Sequence, residues 1–273
     1  MTEQLIFYMS VASGTQKRVV EALNYPYVLV NYMTKSNTPP KCARVLFVDS
    51  GGFPSSYIHN GYNKTDRQYL IYVIRNKATY YALRDYPCEP QILRRHNITV
   101  YDQIDRTLTH HIKLLELHDR LAVSATPVPV IQGWRMEHYH ECIDLFREHG
   151  LISNYMAIGS LCRRHQVKKI RRIILGVRRE LPSWVKLHAF GTKISVLRNK
   201  DVVQALHSVD SAAMDFAARF KKLRLISGIR RDDSLSMFDI ALEEARAYLR
   251  RVQKLTHVEQ DSTIQTSLAH HAG

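Results

Sequence analysis

Short runs of apolar and β-branched residues recur along the chain, and each is followed by a turn signal and a helix-like stretch. This alternation predicts βα units with parallel strands. The eight predicted strands are Leu5–Met9, Tyr27–Asn31, Val45–Val48, Tyr80–Leu83, Val128–Ile131, Asn154–Ile158, Val185–Ala189 and Leu206–Val209. A chain of 273 residues accommodates them as one closed barrel. We therefore predict an α/β fold, a TIM (β/α)8 barrel; an open doubly wound sheet is the alternative, because periodicity does not show closure.

Amphipathic segments between these strands predict helices. They are Thr65–Asn76, Thr99–Asp119, Glu137–His149, His165–Arg179 and Lys200–Ala205. After the last strand, Ser211–Leu225 and Asp232–Lys254 are predicted as closing helices. No internal repeat or low-complexity linker divides the chain. We expect one barrel domain over residues 1–258 and a polar, flexible tail over residues 259–273, with no zinc subdomain.

The charge balance points to a polyanionic partner. There are 39 Lys and Arg residues against 25 Asp and Glu, a formal net charge of +14. Nucleic acid and an anionic membrane surface both fit such a charge. No apolar run approaches the roughly 20 residues that cross a bilayer, and the first residues do not resemble a signal peptide. We expect a soluble protein of the cytoplasm, without a membrane partner.

Cysteine and histidine spacing argues against a metal centre. The four cysteines are scattered with no C-x-x-C pair, so we expect reduced, structural thiols. The pairs His110-His111 and His270-His271 are adjacent, and adjacent residues do not share a helix face. No metal site is predicted.

Polar residues and glycines follow the predicted strands, where a βα barrel builds its active site. They form the segments Asp49-Ser50-Gly51-Gly52-Phe53, Asp85, Gln132-Gly133-Trp134, Gly159-Ser160, Phe190-Gly191-Thr192 and Asp210-Ser211. Because the carboxyl ends of parallel strands meet on one rim, these residues are predicted to converge.

The segment Asp49–Phe53 has two interpretations. Adjacent glycines allow the backbone to approach a flat ligand and present N–H donors to it. A plain tight turn uses the same residue types. The residues alone leave both interpretations open.

Asp85 and Gln132 are candidate base ligands. A buried carboxylate at Asp85 accepts hydrogen bonds from the adjacent donors on the edge of guanine; the alternatives are a helix cap or an ion pair with Arg84. Gln132 offers a donor and an acceptor for a base; the alternative is a strand-end hydrogen bond within the barrel.

Asp210 ends the last predicted strand. A carboxylate there can act as a nucleophile at a sugar carbon, as in retaining glycosidases. The alternative is an N-cap for a helix that begins near Ser211.

Basic residues cluster after the sixth predicted strand, with few acidic residues between them. The candidate nucleic-acid ligands are Arg163, Arg164, Lys168, Lys169, Arg171, Arg172 and Lys193, and a further basic run is Lys221-Lys222-Leu223-Arg224. Charge runs are commonly solvated faces, but Trp134, Tyr139 and Trp184 lie near in sequence. A phosphate-binding surface with salt-sensitive binding is the favoured interpretation.

Five motifs in order resemble those of the queuine and archaeosine tRNA-guanine transglycosylases. They are Asp49–Phe53, Val130–Gly133, Ala157–Leu161, Leu187–Gly191 and Ser208–Ser211. The segments 85–90 and 183–191 are more similar to the DNA 7-deazaguanine transglycosylases of phages and bacterial genomic islands, the DpdA family. The resemblance covers roughly residues 45 to 215.

This resemblance implies a pentosyltransferase that replaces guanine in DNA with 7-cyano-7-deazaguanine or a relative. It matches Asp210 to the nucleophile, Asp49 to the acid/base or positioning group, and Asp85 to the carboxylate that reads the base. The implied base pocket consists of Ser50, Gly51, Gly52, Phe53, Asp85, Gln132, Gly133, Gly159, His188 and Gly191. The free 7-deazaguanine base is then a co-substrate, and no other cofactor is implied; a homodimer or helper proteins are compatible with it.

Two departures from the tRNA enzymes favour DNA over tRNA. No cysteine follows Cys162, so the C-terminal zinc site of those enzymes has no counterpart. The Pro-Thr-Arg segment after their nucleophile is also absent, because this chain continues Ala212-Ala213-Met214. Exchange on tRNA and a non-catalytic nucleic-acid-binding subunit are the alternatives. Hydrolysis that leaves an abasic site is a further one.

Overall fold

The structure, a computed structural model, describes residues 4–34, 38–211 and 236–256. Its strands are β1 Ile6–Val11, β2 Tyr27–Asn31, β3 Val45–Asp49, β4 Tyr80–Ala82, β5 Thr126–Val128, β6 Val130–Ile131, β7 Tyr155–Ile158, β8 Lys186–Ala189 and β9 Ser208–Ser211. Its helices are α1 Gly14–Ala22, α2 Gly52–His59, α3 Asp66–Arg75, α4 Pro90–His96, α5 Val100–Arg120, α6 Met136–Glu148, α7 Val167–Glu180, α8 Lys200–Ala205 and α9 Met237–Thr256, with a 3₁₀ turn at Ile194–Arg198.

The strands form one parallel sheet in the order β5-β4-β3-β2-β1-β9-β8-β7-β6. Its two outer strands, β5 and β6, are consecutive in the chain and are separated only by Pro129. Together they complete the wall as one interrupted strand, so the sheet curls into a nearly closed barrel. The predicted α/β barrel is therefore confirmed, and the open sheet is excluded.

The interruption at Pro129 is the main difference from the predicted strand Val128–Ile131. Proline has no N–H to donate to a neighbouring strand. Its carbonyl still accepts from Ala157 N at 2.9 Å, and Val128 O accepts from Leu83 N at 2.9 Å. The chain therefore pairs with β4 before the proline and with β7 after it.

Alternation along each strand divides the apolar residues between two layers. Inside the barrel, Tyr8, Phe47 and Tyr155 pack with His188, and the Phe47 ring centroid lies 6.0 Å from that of Tyr155 and 5.1 Å from that of His188. Outward residues such as Val48 pack beneath the helices. Aromatic rings thus fill the barrel interior below the carboxyl-end rim.

Local signals explain where the helices begin. Thr65 and Thr99 each form a capping box at the start of α3 and α5. Ser13 caps α1, and its hydroxyl accepts from Gln16 N at 3.2 Å. Helices α1, α2 and α4 are additions to the predicted segments.

Two predicted features fall partly or wholly outside the described residues. Of the closing helix predicted at Asp232–Lys254, the structure describes α9 from Met237 onwards. This helix packs on α1, and Ala241 and Ala245 lie beside Val19 and Val20. The predicted helix Ser211–Leu225, the basic run 221–224 and the tail 259–273 lie outside the described part of the chain.

Candidate active site

The predicted rim residues converge at one end of the barrel. Asp49 is the last residue of β3, Asp85 follows β4, Gln132 follows β6, and Asp210 lies in β9. All the strands are parallel, so these residues share the carboxyl-end rim. The rim therefore carries three neighbouring carboxylates.

Asp49 is held by one side chain and by its own turn. Asn31 Nδ2 donates to Asp49 Oδ2 at 2.6 Å, and Gly51 N donates to Asp49 Oδ1 at 3.2 Å. Burial and the nearby negative charge of Asp85 raise the pKa of Asp49 to about 7, against the opposing effect of these donors. Asp49 can therefore gain or lose a proton near neutral pH.

The two glycines after Asp49 are required by close packing. Gly51 has φ +77°, a left-handed conformation, and a Cβ there would collide with Met33. A Cβ on Gly52 would lie 2.9 Å from the Asp85 carbonyl oxygen. In this structure the glycines bring the start of α2 against Asp85, so the turn shapes the pocket wall.

Asp85 lies in a polar network and is not paired with Arg84. Ser50 Oγ donates to Asp85 Oδ1 at 3.0 Å, and Gln132 Nε2 donates to Asp85 Oδ2. Tyr62 OH donates to the Asp85 carbonyl at 2.9 Å. Arg84 instead pairs with Asp66 at 2.8 Å, so the ion pair considered for Asp85 is wrong.

Burial raises the pKa of Asp85 to about 6, although the Ser50 and Gln132 donors favour its charged form. The side chain is therefore mostly ionised at neutral pH. A carboxylate has about four acceptor positions, so two protein donors leave room for donors from a ligand.

Gln132 connects Asp85 to a second buried carboxyl group. Its Oε1 lies 2.6 Å from Ser160 Oγ, and this hydroxyl lies 3.0 Å from Glu89 Oε2. A Cβ at Gly159 would collide with the Gln132 amide, so glycine is required there. Burial raises the pKa of Glu89.

Glu89 was not among the predicted site residues. Glu89 lies in the segment 85–90, four residues after Asp85. The similarity of this segment to the DpdA family was the signal that could have identified it. Gly133, which was predicted as a base ligand, packs against Tyr139, and a Cβ there would lie 2.9 Å from the Tyr139 ring.

Asp210 is buried and receives hydrogen bonds from both sides. Ser10 Oγ donates to its Oδ2 at 2.8 Å, and Gly191 N donates to its Oδ1 at 2.7 Å. His188 Nε2 lies 3.4 Å from Oδ1. These contacts fix the orientation of the carboxylate. The alternative role of Asp210, as the N-cap of a helix that begins near Ser211, concerns residues outside the described part of the chain.

His188 lies beneath Asp210, inside the barrel. Its Nδ1 is 2.7 Å from Ser208 Oγ, which is 2.6 Å from Tyr155 OH. The imidazole is fully buried, and its Nε2 atom faces the Asp210 carboxylate from inside the barrel. Ser10, which donates to Asp210, was missed, although a serine near the end of β1 was a possible signal.

The predicted basic ligands occupy different environments. Lys168, Lys169 and Arg172 are exposed on the outer face of α7, and Arg163 is exposed just before it. Lys193 is half-buried close to the rim. A groove of about 600 Å³ is lined by Trp134, Arg135, Arg163, Lys169 and Arg172, among others.

Two arginines of this set are engaged by the protein itself. Arg164 is buried, and its guanidinium donates to Ser160 O at 2.9 Å and Trp134 O at 2.7 Å. Arg164 also lines the groove, so its predicted contact with nucleic acid stays a prediction, although most of its side chain is buried. Arg171 pairs with Asp201 through two nitrogens.

Two of the aromatic residues noted near the basic runs also lie elsewhere. Tyr139 is fully buried, and Trp184 is exposed just before β8, at the amino end of the barrel.

Among the described residues, no helix has the length and apolar character that would let it span a membrane.

The fold and its rim define a βα barrel with three carboxylates at the carboxyl ends of its strands. A family model described as DeoxyPurine in DNA protein A, DpdA, matches residues 27–271. The chain therefore belongs to the DpdA family, which implies DNA modification by a transglycosylase. Comparison with curated protein sequences gave no match.

Proposed function

We propose that this protein exchanges guanine in DNA for a 7-deazaguanine, 7-cyano-7-deazaguanine or a relative, through a covalent aspartyl-glycosyl intermediate. The observation that carries the proposal is the set of three rim carboxylates in different environments. Asp210 is oriented by two donors, Asp49 has a pKa near neutrality, and Asp85 belongs to an amide-linked network. Such divergence among neighbouring carboxyl groups is typical of a division of acid/base and nucleophilic roles.

In the first step the target guanine leaves the stack and enters the pocket, at a cost of a few kcal/mol. An Asp210 oxygen attacks C1′ of the deoxyribose, and a C1′–O bond forms as the C1′–N9 bond breaks. The electron pair of the broken bond goes to N9, and protonated Asp49 supplies a proton to the departing guanine.

In the second step N9 of the incoming 7-deazaguanine attacks the same carbon. The C1′–O bond to Asp210 breaks, and the N9 proton passes to ionised Asp49. Two displacements give overall retention, and Asp49 returns to its starting protonation state. One glycosidic bond replaces another, so the scheme needs no further cofactor.

Asp85 is the proposed reader of the base edge. Guanine and 7-deazaguanines both present an N1–H and an exocyclic amine side by side, and a carboxylate accepts from both. The Gln132 amide, anchored by Ser160, holds Asp85 in place for this contact.

Trapping tests the nucleophile. Wild-type protein incubated with guanine-containing DNA should form a denaturant-stable adduct, and Asp210→Ala should form none. An adduct that persists in Asp210→Ala would refute the assignment. Asp85→Asn should lose exchange while retaining most DNA binding, and unchanged exchange would remove Asp85 from base reading.

Labelled guanine distinguishes the substrates. Offered with DNA and with tRNA in parallel, the label should enter DNA; entry into tRNA alone would refute the proposed substrate. Abasic sites in place of incorporated base would show hydrolysis. Absence of both reactions, with retained binding, would identify a non-catalytic subunit.

A further inference from the structure

Four side chains form a stacked column beside the pocket, which we call the stacking column. The Arg95 guanidinium lies 4.8 Å from the centre of the Tyr57 ring. The planes of Tyr57 and Phe53 are nearly parallel, at 7°, with centroids 6.1 Å apart. The Arg163 guanidinium lies 4.8 Å from the Phe53 centre. The column therefore consists of two stacked aromatic rings with one cation at each end.

The stacking column is open to solvent. Tyr57 is 39% exposed and the adjacent Ile58 is 60% exposed, and both arginines are exposed. Helix α2 thus presents aromatic and aliphatic surface outward with a positive charge at each end. A partner with flat apolar faces and negative charges complements this surface.

The Phe53 end of the column lies next to both the pocket and the basic groove. Phe53 directly follows Gly52, whose backbone lies against Asp85. Arg163, which lies over the Phe53 ring, also lines the groove that contains Trp134, Lys169 and Arg172. A strand whose guanine occupied the pocket would therefore place its neighbouring nucleotides over the column and the groove.

We propose that the stacking column binds unpaired nucleotides next to the extruded guanine, with bases on Tyr57 and Phe53 and phosphates on Arg95 and Arg163. The inference rests on the proposed function in that the bound strand is the DNA substrate. Stacking on aromatic side chains tolerates any base, because every base has a π-face. Exposed cation–π contacts are weak, so the arginines can exchange ring contact for charge-assisted hydrogen bonds to phosphate.

This site favours opened DNA over a closed duplex. In a duplex the base faces are covered by neighbouring pairs and are unavailable to Tyr57. The protein should therefore bind single-stranded or locally melted DNA more tightly than a blunt duplex of the same sequence at equal salt concentration.

Fluorescence anisotropy of labelled oligonucleotides tests the proposal on the full chain. Tyr57→Ala should weaken single-strand binding by about fivefold or more, the loss of one stacked base. Tyr57→Phe should retain near wild-type affinity, because the ring remains. Trp184→Ala is the matched control, since Trp184 is 55% exposed but lies at the opposite end of the barrel, and its affinity should be unchanged.

A second readout places the base on the ring. 2-Aminopurine next to the target guanine should be quenched by wild-type protein and by Tyr57→Phe, and much less by Tyr57→Ala. The inference fails if Tyr57→Ala binds the single strand as wild type does, if it weakens duplex and single strand equally, or if Trp184→Ala gives the same loss.

These assays do not depend on base exchange, so the two proposals can fail separately. Loss of single-strand preference in Tyr57→Ala, in a protein that never incorporates a base, would sustain the column and refute the proposed chemistry. Normal incorporation together with unchanged binding by Tyr57→Ala would refute the column and sustain the chemistry.

Discussion

Replacing Asn31 with alanine tests whether Asp49 handles the proton in base exchange. Asn31 Nδ2 donates to Asp49 Oδ2 at 2.6 Å and so favours the ionised form of the carboxyl group. In the intact protein, burial and the charge of Asp85 already raise the Asp49 pKa to about 7. Removal of the donor should raise it further.

The size of the change follows from the hydrogen bond. Bonds to charged groups contribute about 1.5 to 3 kcal/mol, and about 1.4 kcal/mol corresponds to one pH unit in a pKa. Water that enters the space left by Asn31 replaces part of the bond. We therefore expect the Asp49 pKa to increase by about one pH unit.

The pH dependence of kcat/KM for DNA reports the free enzyme. In the proposed mechanism the first step requires protonated Asp49, so kcat/KM for DNA should fall as pH rises above about 7. In Asn31→Ala this decline should move to higher pH by about one unit. For the incoming base, which meets the covalent intermediate, the rate should instead fall as pH decreases.

Two outcomes would refute this reasoning. A decline that stays in place would show that Asp49 is not the titrating group. A decline that moves to lower pH would show that the substitution only disrupted the loop and hydrated Asp49, since Asn31 Oδ1 also accepts from Met33 N at 2.9 Å. Asn76→Ala is the matched control, because Asn76 caps α3 away from the rim and its loss should leave the profile unchanged.

Three further predictions concern stability and salt dependence. His111 is fully buried against Phe146, and burial lowers its pKa from 6.5 to about 3, so the free energy of unfolding should decrease as pH drops below 6.5. In urea unfolding at pH 5, His111→Leu should remove about 2 kcal/mol of that decrease. An equal dependence of the free energy of unfolding on pH in both proteins would contradict this. Asp49→Asn should lose exchange. At pH 8 it should raise Tm and increase the free energy of unfolding by at most on the order of 4 kcal/mol, because the raised pKa makes ionisation of Asp49 unfavourable in the folded state. This gain in stability should vanish near pH 4, and a lower Tm at pH 8 would contradict the prediction. Lys169→Ala should reduce the slope of log K for DNA against log salt by about 0.9, whereas an unchanged slope would remove Lys169 from phosphate contact.

Much of the fold was predictable because it depends on local patterns. The strand Tyr27–Asn31 was predicted with the bounds that the structure has, since a short β-rich run closed by turn residues carries its own signal. The break at Pro129 also follows from a local property, the missing N–H of proline. Convergence of Asp49, Asp85 and Asp210 followed once the strands were taken as parallel.

The supporting residues were not predictable in this way. Ser10 and Asp210 are 200 residues apart in sequence, and only closure of the barrel brings β1 beside β9. Asn31 and Glu89 each matter through the carboxyl or hydroxyl group that folding places beside them.

By itself the sequence determined the alternation of strands and helices, the polar strand ends and the excess of positive charge, because these are properties of neighbouring residues. Only the tertiary structure decided which groups act together. Arg163 and Arg164 are adjacent and chemically identical, yet one is exposed over Phe53 and the other is buried beneath Trp134. The neutral-range pKa of Asp49 likewise arises from burial and from Asp85, a charge that the fold brings in from another strand.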